Sequence, residues 1–174
     1  MAEFDTNRGR MEEFVCVIMS DDLKGGSPEP AGGEILSWEE VSRTHRVRNG
    51  VYQRGGRLVS LLTDFGRINP CYPDRAGDDE DTILYVGNGR RGDQHLDPGN
   101  RALLSAVETG HAVPLFNKLA VGRWQHMGFW RVEGGRQIFD ERENRMLWQF
   151  TLRRVGGPKP LGTKSQNKKL NPFV

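Results

Sequence analysis

The chain has 174 residues, 36% hydrophobic and 28% charged, with a formal net charge of +2. That length suits one domain burying about 70% of its unfolded surface, and no apolar run approaches the ~18 residues that a membrane span needs. Two cysteines, Cys16 and Cys71, exclude a disulfide scaffold and, without a CxxC pair, a cysteine-built zinc site.

The opening MAEFDTNRGRMEEF carries acids where a secretory signal needs a basic flank, so the chain reads as a cytosolic or nucleoid protein. Residues 14–19 (FVCVIM) form an apolar run of strand length, and SDDLKGGSPEPAGG after it reads as a loop. Ser37-Trp38-Glu39-Glu40 has capping-box spacing, which predicts a short helix from there to about Arg46. RNGVYQRGG then reads as a loop. LVSLLT (58–63) and ILYV (83–86) are strand candidates on either side of a turn-rich segment. Asp97-Pro98-Gly99-Asn100 opens a second helix whose Ala102, Leu103, Ala106 and Val107 share one face, and Gly110 is its stop. From His111 onward AVPLF, GRWQHMGFWRV, RQIF and NRMLWQFTLRRV alternate with turns, a meander of antiparallel strands.

Few helices among several closely spaced strands predict an α+β fold, a curled sheet or small barrel with two or three short flanking helices. One domain is expected over residues 1–155, with an acidic part at 1–42 and a core at 43–155, and residues 156–174 read as a basic tail or linker. Charge divides along the same line: residues 1–42 hold 10 acids and 3 bases, residues 43–174 hold 22 bases and 13 acids. Arg43, Arg46, Arg48, Arg54 and Arg57 crowd a stretch with no acid, so a polyanionic partner is plausible, although a solvated surface is the simpler reading of charge alone.

Enzymatic patterns are poorly supported. His45, His95, His111 and His126 lack HExxH spacing, no serine sits in a GxSxG elbow, and the acidic run 74–81 (DRAGDDED) lacks EF-hand spacing and reads as a solvated turn. No catalytic group, metal site or small-molecule cofactor is therefore expected. Gly87-Asn88-Gly89-Arg90-Arg91-Gly92 is literally GxGxxG, but no helix starts at its glycines and no parallel strand ending in an acid follows, as a dinucleotide fold requires. It reads instead as a backbone loop shaped for close approach to something flat or anionic.

Cys71-Tyr72-Pro73-Asp74-Arg75, then Tyr85-Val86-Gly87-Asn88-Gly89, Gly92-Asp93-Gln94 and Gly99-Asn100-Arg101-Ala102-Leu103 follow one another in order at close spacing. This combination, with the closing MLWQFTLRRV, resembles the SRA (SET and RING associated, or YDG) domain family over about residues 50–155, and its prokaryotic branch most, where such domains are often fused to an HNH nuclease. The resemblance implies a PUA-like barrel that binds double-stranded DNA and flips a modified cytosine, 5-methylcytosine or 5-hydroxymethylcytosine, into a pocket. Tyr72 and Tyr85 would then sandwich the base, Asp74 would accept from its N4 amino group, and the backbone amides of Val86, Gly87 and Asn88 would meet the rest of its Watson–Crick edge. Arg48, Asn49 and Val51 match the position of the family's first groove-entering loop, and the longer second finger of eukaryotic relatives is missing. Arg90, Arg91 and Gln94 are the further DNA-contact candidates, with Arg101 and Lys118 weaker. The chain would be a reader without catalysis of its own; the alternatives are the specificity domain of a modification-dependent restriction enzyme, with its HNH nuclease elsewhere, and a PUA-like RNA binder.

Overall fold

The computed structural model describes residues 33–156. The expected strand at 14–19 and the tail beyond 156 lie outside the described residues.

Ten elements follow in order: β1 (Ile35–Leu36), α1 (Trp38–Thr44), β2 (Val51–Arg54), β3 (Arg57–Thr63), β4 (Arg75–Ala76), β5 (Thr82–Val86), α2 (Pro98–Thr109), β6 (Ala112–Ala120), β7 (Arg123–Asp140) and β8 (Arg145–Gly156). The capping box forms as its spacing predicts, with the Ser37 side chain accepting from the Glu40 amide and Glu40 accepting from Ser37 N at 2.7 Å. Asp97 caps α2, accepting from Asn100 N at 2.7 Å, and Gly110 ends that helix in the left-handed region.

Two expectations are corrected. The supposed loop at 48–56 contains β2, because Val51 buries its side chain and the segment pairs antiparallel with β3 around a tight Gly55-Gly56 turn. GRWQHMGFWRV and RQIF are one strand, β7, since its register shift between Val132 and Gly134 is absorbed as a bulge without ending the pairing with β8.

The strands form one curled sheet in the order β2-β3-β6-β7-β8-β5-β4, with β1 paired to β7. Long β7 carries the curl: its first part pairs with β6 and β1, and its later part with β8. β3 and β6 pair in parallel, and this pair is covered on both faces. Leu61 and Leu115 enter the main core with Ala102, Leu103 and Ala106 of α2, whereas their neighbours Leu62 and Phe116 enter a second cluster with Val41 of α1 and Trp124. Burial on both sides explains why apolar residues occupy both alternating faces of LVSLLT.

Candidate functional site

A pocket of about 710 Å³ opens where the end of β3, the segment before β4, the end of β5 and the glycine loop converge, lined among others by Thr63, Tyr72, Asp74, Tyr85, Val86 and Gly89. Asp74 is 6% exposed, and its two carboxylate oxygens accept from Val86 N and from Thr63 Oγ1, each at 2.7 Å. Those bonds fix its orientation and leave a lone pair on each oxygen. Burial outweighs both bonds and, with a smaller push from the Asp64 charge, raises the carboxyl to about 7. Tyr85 is 2% exposed, donates its hydroxyl to the Leu62 carbonyl at 3.1 Å, and belongs to the main core and the pocket wall at once. Tyr72 is half-buried, and burial raises its phenol against a smaller opposing pull from the Gly89 backbone.

The glycine loop is held from within. Asn100, fully buried at the start of α2, accepts from Asn88 N at 2.8 Å and donates to the carbonyls of Asn88 and His95. Gln94 donates to the carbonyls of Gly87 and Gly89 and accepts from Trp148 N at 2.8 Å. A side chain at Gly87 would collide with the Asn100 amide, and one at Gly99 with the Asn88 amide. The GxG, GDQ and GNRAL pieces are therefore one physical unit, a clasp between the loop and α2.

Arg145 is a second clasp. It is 3% exposed and has no acid partner among the described residues: its guanidinium donates to Gly89 O at 2.8 Å, to Gly92 O at 3.3 Å and to Cys71 O at 2.6 Å. It ties the glycine loop to the segment that presents Tyr72. Loop 45–50 is fixed through His45, whose ring nitrogens meet the Asn49 carbonyl at 2.7 Å and the Ser60 hydroxyl at 2.8 Å. A carbonyl only accepts, so Nε2 carries the hydrogen and Nδ1 accepts from Ser60. Burial lowers this imidazole to about 4, so it is neutral at physiological pH.

Several expected contacts are placed elsewhere. The amides of Val86, Gly87 and Asn88 are spent on Asp74, on Trp148 O and on Asn100, so they are not free to meet a base edge. Val51 is 5% exposed within the core and cannot act as a wedge, and Gln94, 2% exposed, holds the loop instead of reaching outward. Arg48, Asn49 and Arg90 do gather at the rim, joined by Lys118, with Arg48 4.4 Å over the Trp38 ring. Arg91 and Arg101 are exposed but outside the pocket lining. Thr63, Asn100 and Arg145 were not among the residues singled out from the sequence; GNRAL carried a signal for Asn100, whereas a lone threonine and a lone arginine carry none. Apart from Asp74 in the pocket, the acids of the run, Asp78 to Asp81, sit at the other end of β5 from Tyr85, where Asp79 pairs with Arg153 at 2.8 Å and Asp81 with Arg154 at 3.0 Å. Among the described residues no acidic, histidine or cysteine cluster is arranged to hold a metal ion, and no helix is long and apolar enough to cross a membrane.

Among curated proteins none matches the sequence significantly. Solved structures do match the fold. The SRA domain of SUVH5 in complex with hemi-methylated CG DNA is similar at TM-score 0.65 and 23% identity, over 78% of this chain and 96% of that one. The same domain bound to fully hydroxymethylated CG DNA matches at TM-score 0.61 and 23% identity, over 76% and 94%. The modification-dependent TagI restriction endonuclease matches at TM-score 0.60 and 20% identity, over 74% of this chain and 50% of that one. Residues 45–170 match the model of the ScoMcrA-like SRA domain, and the chain belongs to that family.

Proposed function

We propose that this domain reads modified cytosine in double-stranded DNA, holding the base flipped out of the duplex between Tyr72 and the wall formed by Tyr85. The observation that carries the reading is the buried Asp74 carboxylate, held by Thr63 and Val86 in the wall of a pocket wide enough to admit a base and lined at its opening by cations. Cytosine offers an N4 amino donor to that carboxylate, whereas thymine offers an acceptor there. Two acceptors facing one another out of water are costly, so the acid separates the two bases. Stacking on an aromatic face returns about 1–3 kcal/mol per base, comparable to the few kcal/mol that flipping costs. A 5-methyl group fitted into the pocket adds about 1–3 kcal/mol, so preference for the modified base is of the order of 10- to 200-fold.

With the Val86, Gly87 and Asn88 amides spent internally, Asp74 is the polar group that this reading assigns to the base edge. Arg48, Asn49, Arg90 and Lys118 contribute the phosphate contacts. Support comes also from the family and from neighbours whose complexes hold methylated and hydroxymethylated DNA. The test is a titration at fixed physiological salt with one duplex carrying cytosine, 5-methylcytosine or 5-hydroxymethylcytosine at a single position. Tighter binding of a modified duplex, abolished by Tyr72→Ala, is the expected result; equal affinity for all three refutes the reading.

A second role is compatible with the same site. The likeness to TagI, of which this chain spans half, favours use of such a domain as the specificity part of a modification-dependent nuclease. The reader itself needs no catalytic group, and cleavage would belong to another part. Incubating modified DNA and a divalent metal with this chain alone, and then with the product of the adjoining reading frame, separates the two.

A further inference from the structure

Base flipping leaves a hole in the stack, and Val51, the apolar residue expected to enter it, is buried in the core. Among the described residues, Ile35, Ile68, Leu96, Val121, Phe139 and Val155 are the exposed large apolar side chains, and of these Ile68 lines the pocket. It is 50% exposed, in the turn between β3 and Tyr72. We infer that this turn, residues 64–70, enters the duplex beside the flipped base and that the Ile68 side chain occupies the vacated space. The inference rests on the reading of the pocket as a site for a flipped base.

The turn is built for such a load. Its neighbour Arg67 donates from Nε to Asp64 O at 2.9 Å and from the guanidinium to Asn117 Oδ1 at 2.9 Å and Lys118 O at 3.0 Å, anchoring the turn to β6. Asn69 N donates to Asp64 Oδ2 at 2.9 Å, and Tyr72 N to Asn69 O at 3.1 Å. At its base Phe65, with φ 53° despite being no glycine, donates its amide to Thr63 Oγ1 at 3.1 Å, the same hydroxyl that orients Asp74. The apolar tip is thus held at a fixed distance from the acid that receives the base, so little ordering cost remains to be met on binding.

Charge around it suits a duplex. Arg48, Arg90 and Lys118 line the same opening, while Asp64 and Asp97, the acids there besides Asp74, are engaged with the amides of Asn69 and Asn100. An apolar side chain flanked by cations that reach phosphates is the chemistry of a wedge that unstacks one base step.

The experiment uses the full 174-residue chain and two probes. One is a duplex with a single 5-methylcytosine·guanine pair; the other is the same duplex with the 5-methylcytosine opposite an abasic site, where no partner base needs support. Ile68→Ala should weaken binding roughly tenfold on the paired duplex, the loss that corresponds to burying one aliphatic side chain, and change it little on the abasic one. Ile68→Thr, closer in volume, should give the same split, and Val155→Ser, remote on β8, should change neither. Unchanged binding of both probes by the Ile68 variants, or equal loss on both, overturns the wedge. Wild-type protein that does not distinguish 5-methylcytosine from cytosine overturns the pocket reading itself, and that result is visible before any variant is made.

Discussion

On the proposed reading, Asp74 makes base discrimination depend on pH in a direction that can be worked out beforehand. Its carboxyl, ordinarily near 3.8, stands at about 7 because burial penalises the charge. The ionised fraction is then about one-tenth at pH 6 and about nine-tenths at pH 8. The ionised form accepts from the N4 amino group of 5-methylcytosine, and the protonated form donates to O4 of thymine, which carries the same methyl group. Between pH 6 and pH 8 the first interaction should gain about tenfold and the second lose about tenfold, so the ratio of the two affinities should rise by up to about a hundredfold, or ~2.7 kcal/mol.

The assay is a competition between duplexes with 5-methylcytosine or thymine opposite guanine, followed by anisotropy across that range. Taking the ratio cancels the backbone electrostatics and the different opening costs of the two pairs, neither of which changes between the arms as pH moves. Asp74→Asn, with an amide that does not titrate, should give a flat ratio. A wild-type ratio that stays constant from pH 6 to pH 8 refutes the argument that this buried acid meets the base edge.

The same acid and His45 load stability in opposite senses. Asp74 is raised in the folded state, so its contribution is complete below about pH 3.8 and is lost as pH rises through about 7. His45 is lowered to about 4, so its contribution is present above about 6.5 and is lost as pH falls. Against His45→Gln as reference, wild-type unfolding free energy from urea titration should fall by about 2 kcal/mol between pH 7 and pH 4.5; a constant difference refutes the neutral, buried imidazole. Arg145→Met strips the carbonyls of Cys71 and Gly92 of a buried donor and should cost about 2–5 kcal/mol of stability. Its binding signature is loss of preference for the modified duplex with a nonspecific component retained; an intact preference would separate this clasp from the pocket.

What the sequence made legible followed local rules. The capping box at Ser37, the Asp97 cap with Gly110, and the apolar runs of β3 and β5 depend on neighbours in the chain, and they appear where spacing put them. β2 was hidden because its alternation is short and lies among arginines and glycines, so that only pairing with β3 reveals it. The family motif located the pocket but not the division of labour within it. Gly87, Asn88 and Gln94 were expected as contact residues, yet they spend hydrogen bonds on one another and on Asn100. Buried polar groups must be paired, and the surrounding loop supplies the nearest partners. Arg145 shows the converse limit: it lies 53 to 74 residues from the carbonyls it binds, and no local pattern announces a contact of that range.

The proposed reading places specificity and affinity in different parts of the site, and a salt titration can separate them. Asp74, Tyr72 and Tyr85 are buried or half-buried and, on the proposed reading, would meet the base away from counterions, so their contribution should change little with ionic strength. Arg48, Arg90 and Lys118 stand at the rim, where neutralising a phosphate releases condensed cations and each contact adds about 0.9 to the slope of log affinity against log salt. Arg90→Ala should reduce that slope by about one and weaken modified and unmodified duplexes alike, leaving their ratio unchanged. Asp74→Asn should do the reverse, keeping the slope while collapsing the preference for 5-methylcytosine over thymine. If Arg90→Ala alters the ratio, or Asp74→Asn alters the slope, the two functions are not separable and the pocket and its rim must act as one electrostatic unit.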